Sequence, residues 1–400
     1  MRRNPCELAI DLFCRGMEVD PSCDLARDGR GVARTRAGLG SGLDLVLPGR
    51  PPVNRDVWAN VPLEEPFVAA APFLLRCGDG YEVVDRRDGE TYPVELPPEP
   101  AWYRRRTSRG AEMHRIGLLQ GSYLGVYVGA SCRFWHGKDE DLRCRFCTTG
   151  LNIDEEIPRT IENVVETARA AKEESGVTFV HLNTGYQEGA ALRLMAPFVE
   201  ALKSRVGVLV GVQAAPEGTR EELDRLIDLG TDHFSFCFEY YDPEFFRKYC
   251  PGKHEAIGQR RFLDALAYTQ ERLPKGACSG EIIAGNEPVE KTLEAIDFIT
   301  GLGAFPTVCI FRPLQGSAME TWPPPEYGEM RRVMKHMWER CRDRGVPIGL
   351  APNIEVSLVI QPTDAAYLAE GTWRDRWYLA RLGILRKLAS PLFRRRMRIQ

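Results

Sequence analysis

The sequence lacks an apolar run of the roughly 18 residues that a membrane-spanning helix needs. Its opening, MRRNPCELAIDLFCRG, holds no stretch long enough for the core of a signal peptide, so a cytoplasmic location is expected. There is no internal repeat and no low-complexity tract. There is also no strong excess of charge: a formal charge of -3 over 400 residues gives no reason to expect nucleic acid as the partner. The length excludes a small disulfide scaffold, and the 12 cysteines of a chain without an export signal are expected to be mostly reduced thiols.

What is present falls into three parts. Residues 1–120 mix Gly- and Pro-rich patches (RDGRGVARTRAGLGSG, VELPPEPAW) with short strand candidates, FLLRCG and YEVVDRR, and are expected to form an accessory N-terminal layer with hairpins. In residues 121–325 six strand-like runs (YLGVYVG, VTFVHLN, VGVLVGVQ, DHFSFCFE, ACSGEIIAG, TVCIFRP) alternate with helical segments such as RTIENVVETARAAKEESG and PVEKTLEAIDFITGLG. Six strand-helix units in a row predict an α/β fold, a partial (β/α)6 TIM-like barrel whose chemistry sits at the C-terminal ends of the strands. Residues 326–400 form a C-terminal extension. It holds one helical segment, two strand-like runs (VPIGLAP, IEVSLVIQP) able to extend or cap the barrel, and a basic end with interleaved apolar residues. That end reads as a docked helix with a solvated tail, or as a membrane-surface or RNA-touching element.

The chemistry concentrates in SCRFWHGKDEDLRCRFC, directly after the first strand, where Cys132, Cys144 and Cys147 are separated by eleven and two residues. Two metal readings fit. With His136 as fourth ligand the set suits structural zinc, giving a binding or scaffold protein. Alternatively, three thiolates hold a four-iron cluster and leave one iron open to a small molecule, with Phe134, Trp135 and Phe146 limiting access of water.

The Cys144-Arg-Phe-Cys147 ending resembles the loop of the radical S-adenosylmethionine (radical SAM) superfamily, although the eleven-residue first gap departs from its commonest spacing. FEYYDPEFF, GQRRFLDAL and CSGEIIAGNEP add a likeness to the biotin-synthase-like branch, over about Ser122 to Met319. The resemblance implies one [4Fe-4S] cluster on Cys132, Cys144 and Cys147, with SAM chelating the open iron. It further implies the Phe146 backbone at the adenine edge, Thr184 and Gly185 at the SAM amino group, and Glu239 at the ribose hydroxyls. Arg261, or its neighbour Arg260, would pair with the SAM carboxylate, and Ile283 would pack on adenine.

The activity so implied is reductive cleavage of SAM to methionine and a 5'-deoxyadenosyl radical, which takes hydrogen from an inert carbon of a substrate. An external one-electron donor such as flavodoxin or ferredoxin is then required. Only Cys278 falls where biotin synthase holds its second cluster, with His181 and Val212 or Gln213 at the other such places, so sulfur insertion is not expected. No cobalamin-domain pattern or cysteine-rich extension is visible. Tyr186, Gln213 and Arg312 are the candidate substrate contacts, Arg312 through its planar fork or else as a barrel-closing salt bridge. A small molecule is favoured over nucleic acid, with RNA or lipid as the alternative and membrane-surface contact by the basic C-terminal segment a further expectation.

Overall fold

A computed structural model describes residues 2–25, 42–136, 142–153 and 156–398. The Gly-rich patch at 26–41 and part of the cysteine loop, 137–141, lie outside the described residues.

The six strand-like runs are six parallel strands: β1 (Leu124–Tyr127), β2 (Phe179–Asn183), β3 (Leu209–Gln213), β4 (His233–Glu239), β5 (Cys278–Ala284) and β6 (Phe305–Ile310). They follow one another in a single sheet, with the two-residue strand Leu118–Leu119 antiparallel on the outer edge of β1. Helices cover the outer face, so the strands are buried on both sides and read as near-continuous apolar runs. The intervening helices carry their own start and stop signals. Thr160 caps Ile161–Ser175 through the Asn163 amide, and Gly176 ends that helix in the left-handed region at φ 65°. Thr219 and Glu222 form a capping box on Arg220–Asp228.

Residues 2–120 contribute more than covering hairpins. Phe73–Cys77 and Tyr81–Asp85 pair as expected, in a small sheet with Glu18–Val19 and Thr91–Val94, and Leu43–Leu47 pairs with Val57–Val61. The buried helix Pro5–Arg15 was not expected, although Asn4 and Glu7 form a capping box and Pro5 takes the first helical position. One apolar core runs without a break from Cys6 in this helix to Leu382.

VPIGLAP and IEVSLVIQP are not strands. The segment makes two isolated bridges, Gly121 with Val356 and Val308 with Ile360. Those partners lie at the two edges of the sheet, so the segment straps the open side of the half-barrel. Beyond it, Trp373–Arg396 is a single helix, capped by Thr372 and Asp375.

Candidate active site in the half-barrel

A cavity of about 680 Å³ runs through the barrel from the cysteine loop to the strap and the C-terminal helix. Its upper end is bordered by Cys132, Cys144, Cys147 and Phe146. The strand register explains how the remaining lining converges. Tyr127 lies beside Asn183, Asn183 beside Gln213, and Gln213 beside Ser235, so the ends of β1 to β3 share one level with the middle of β4. Because side chains alternate across a strand, each of these residues points inward.

The cysteine loop is pinned from several directions. The Arg145 amide donates to the Tyr249 carbonyl at 2.9 Å, and the Arg133 amide donates to the Tyr186 carbonyl at 3.0 Å. Phe134 stacks on Tyr186 at 4.3 Å with the planes 5° apart, which holds Tyr186 at the cavity wall. The Thr149 amide donates to the Cys147 sulfur at 3.4 Å. Burial, followed by the neighbouring Cys144 and Cys147, lifts the Cys132 thiol to about 12, and burial likewise raises Cys147. Cys144 is held below the ordinary thiol value by a hydrogen bond from Cys250, with Lys253 adding to the effect, and Cys250 is pushed well up by burial. Among the described residues no three His, Cys, Asp or Glu side chains gather as a ready site for a single metal ion. The side chain of His136 lies outside the described residues.

Opposite the thiols, the end of β2 offers unsatisfied polar atoms. Asn183 Oδ1 and Thr184 Oγ1 are buried without a hydrogen-bond partner, while the Gly185 amide donates to the Tyr127 hydroxyl at 2.9 Å. A side chain at 185 would place its Cβ 2.5 Å from that of Cys132, so only glycine permits this approach. Three thiols around one end of a cavity, with acceptors facing them that lack donors, fit a thiolate-held cluster and an amine-bearing ligand.

At the end of β4 the register with β5 shifts between Cys237 and Glu239, and Glu239 takes φ 62°. This left-handed turn points its carboxylate into the cavity, where Lys253 donates to it and to the Cys237 carbonyl. Burial alone would lower the Lys253 ammonium, but Glu239 holds it well above its ordinary value. Ile283 lies in the cavity wall, two ladder positions above a cluster not foreseen from the sequence. There Glu281 accepts from Gln213 at 2.7 Å and from Ser235 at 3.3 Å, and burial raises its carboxyl to about 7. Lower still, His181 and His233 lie with ring centroids 5.7 Å apart, held neutral by burial at about 3 and about 4.

Two expected contacts are engaged elsewhere. Arg261 donates to the carbonyls of Glu217 and Gly218, clamping the loop after β3 outside the cavity, and Arg260 pairs with Asp264 in solvent. Arg312 borders the cavity but donates to the Asn60 carbonyl at 2.7 Å and lies 3.6 Å from Glu65, closing the barrel against the N-terminal layer. Cys278 is buried at the start of β5 beside Thr269, whereas His181 and Gln213 border the cavity.

Residues 141–299 match the family model of the radical SAM superfamily. Among curated proteins, the bacteriochlorophyllide c C-7(1)-hydroxylase of Chlorobaculum limnaeum is 24% identical over 135 residues, which are 33% of this chain and 34% of that protein. The chain thus spans about a third of the length of this relative. Among solved structures, Streptococcus suis SuiB bound to the precursor peptide SuiA is 15% identical over 55% of this chain and 46% of its own, with a TM-score of 0.43. Methylornithine synthase (PylB) is 16% identical over 65% of this chain and 81% of its own, with a TM-score of 0.42. Residues 141–299 are thus similar to a superfamily whose members use a [4Fe-4S] cluster and SAM and need an electron donor.

Proposed function

We propose that this protein cleaves SAM reductively and directs the resulting radical at a small molecule held in the half-barrel, in the manner of the biotin-synthase-like branch. The observation that carries the reading is the meeting of Cys132, Cys144 and Cys147 at one end of the cavity, facing the unsatisfied Asn183 and Thr184. When bound, a reduced cluster on these thiolates supplies the electron that splits SAM into methionine and a 5'-deoxyadenosyl radical.

The protein's part is to bind, orient and exclude water. Asn183 and Thr184 would accept from the SAM amino group, Glu239 from the ribose hydroxyls, and Phe146 and Ile283 would enclose the adenine. Tyr186 and Gln213 would meet the substrate, with Glu281 Oε2 accepting from Gln213 to orient its amide. Arg312 keeps its barrel-closing role in this reading. Residues 121–325 act as the catalytic unit, 1–120 as its cover and 326–400 as its floor. The working compartment is the cytoplasm, where flavodoxin or ferredoxin would serve as donor.

The test is anaerobic reconstitution with iron and sulfide, followed by dithionite-dependent formation of 5'-deoxyadenosine, beside a variant with all three cysteines changed to alanine. Deoxyadenosine from the parent alone supports the reading. A colourless parent protein that holds zinc and leaves SAM intact overturns it in favour of a zinc-stabilised scaffold.

A further inference from the structure

The helix Trp373–Arg396 is amphiphilic in an unusual sense, since both of its sides carry apolar residues. Its inner side docks on the underside of the barrel. Asp375 accepts from Arg342 at 2.6 Å and from Trp338 at 3.1 Å, Tyr378 donates to the Val346 carbonyl, and Arg386 donates to the Gly349 carbonyl at 2.7 Å. Near its end Arg396 pairs with Asp232 at 2.7 Å, and Phe393 packs on the apolar cluster of Tyr123, Phe179 and Leu209. The helix is therefore a fixed part of the fold.

Its outer side leaves Trp373, Trp377, Ile384 and Leu388 exposed at 72, 61, 60 and 71%. At 3.6 residues per turn, positions 373, 377, 384, 388 and 392 fall within an arc of about 100°. Arg374 and Arg381 share the Leu392 end of this arc, and Arg376, Lys387 and Arg394 border its other flank. The acidic residue of the helix, Asp375, is buried. Arg374, Arg376, Lys387, Arg394 and Arg395 form no ion pair among the described residues.

We propose that this face seats the protein on an anionic membrane surface. Tryptophans beside aliphatic residues suit the boundary between headgroups and acyl chains, and flanking arginines meet lipid phosphates. No described helix is long and apolar enough to cross a membrane, so the contact lies along the surface. The cavity supplies a second, independent argument. Leu392, half exposed at one edge of the stripe, also lines the lower end of the cavity together with the inward Ala389 and Phe393, so one edge of this face adjoins the cavity's lower end. Seating this face on lipid would bring the Leu392 edge of the cavity's lower end near the bilayer. Single-stranded RNA, the rival for a basic helix, matches the arginines but leaves the aliphatic stripe uncovered.

The experiment is co-sedimentation of the full chain with phosphatidylcholine vesicles, with and without about a third phosphatidylglycerol. It needs no cluster and no SAM, so its outcome is separate from that of the proposed reaction. The expected result is binding to the anionic vesicles that weakens with added salt. Trp377→Ser combined with Leu388→Ser should weaken binding about tenfold or more, given the apolar transfer energy of two side chains. Because both positions are exposed, that variant should melt with the parent, and circular dichroism checks this. Arg376→Glu with Lys387→Glu should also weaken binding, selectively for anionic vesicles. The proposal is overturned by absence of vesicle binding, by equal binding of the stripe variant, or by binding to single-stranded RNA in place of vesicles. It is also overturned if the stripe variant merely converts a dimeric parent into a monomer.

Discussion

Lys253 and Glu239 form a buried ion pair at the point where β4 ends in a left-handed turn. The lysine fixes the carboxylate above the cavity while also donating to the Cys237 carbonyl, and it helps to hold Cys144 low. Changing Lys253 to Met would leave Glu239 without its counter-charge in a largely dry place. The expected loss is on the order of 2 kcal/mol, because removing one member of a buried pair exposes the other to its full desolvation cost. Urea denaturation of the two proteins at neutral pH measures it. Glu239→Gln keeps the shape and removes the charge, and should weaken SAM binding about tenfold at unchanged iron content, as equilibrium dialysis of the reconstituted protein would show.

Gly185 stands where any side chain meets Cys132. In Gly185→Ala the new methyl would lie 2.5 Å from the Cys132 Cβ and 3.0 Å from the Tyr127 hydroxyl. The cysteine must shift away, so iron retained after reconstitution should fall by about half or more, a consequence of overpacking at a ligand. Iron and sulfide assays on the two proteins decide this.

Cys250 is the fourth thiol near the loop, bonded to Cys144 but outside the cavity lining. Cys250→Ala should retain the iron content of the parent at a cost of about 1 kcal/mol in stability for the small void. Alanine at Cys132, Cys144 or Cys147 should each abolish the visible absorption of the reconstituted protein. Loss of iron in Cys250→Ala equal to that in Cys144→Ala would assign Cys250 to the cluster.

Glu281, with its carboxyl raised to about 7, makes stability depend on pH in a definite direction. The folded state binds the proton more tightly than the unfolded chain. The stabilisation is complete below about pH 4 and is lost as pH rises through 7. Between pH 5 and 8 the parent should therefore lose on the order of 3 kcal/mol relative to Glu281→Gln, which has no proton to release. Thermal melts of both apoproteins across that range should diverge as pH rises, and parallel curves would rule out the assignment.

The six strands and their helices were readable because each physical cause is local. Parallel strands buried on both faces show as apolar runs, and caps such as Thr160 and Thr219 stand beside the helices that they start. The cysteine spacing was equally local. Glu281 was not readable, since a lone carboxylate within ACSGEIIAG acquires meaning only when the register sets it beside Cys237 and Gln213. For Arg312 the barrel-closing role was a stated alternative but its partners were not legible, since Asn60 and Glu65 lie some 250 positions earlier in the chain. The helix Pro5–Arg15 is a different case. Asn4, Pro5 and Glu7 announce it in the sequence, although the Gly- and Pro-rich residues that follow have the composition of hairpins. VPIGLAP and IEVSLVIQP have strand composition without a neighbouring strand to complete a ladder, so composition alone misled.

The strap across the open side gives the barrel wall an uneven strength. Within the sheet adjacent strands are joined by ladders, whereas the strap meets the β1 edge at a single isolated bridge, where the Ser122 amide donates to the Glu355 carbonyl at 3.0 Å and the Ser357 amide to the Gln120 carbonyl at 3.4 Å, and meets β6 at one bridge between Val308 and Ile360. A wall built this way parts first at its seam, with an opening free energy well below that of global unfolding. The seam can therefore breathe while the cysteine loop and the strand ends above it stay in register. Exchange of the Ser357 amide, which donates across the seam to Gln120, would then run ahead of exchange in β3 and β4, and the half-barrel would behave as a hinged vessel with a firm rim.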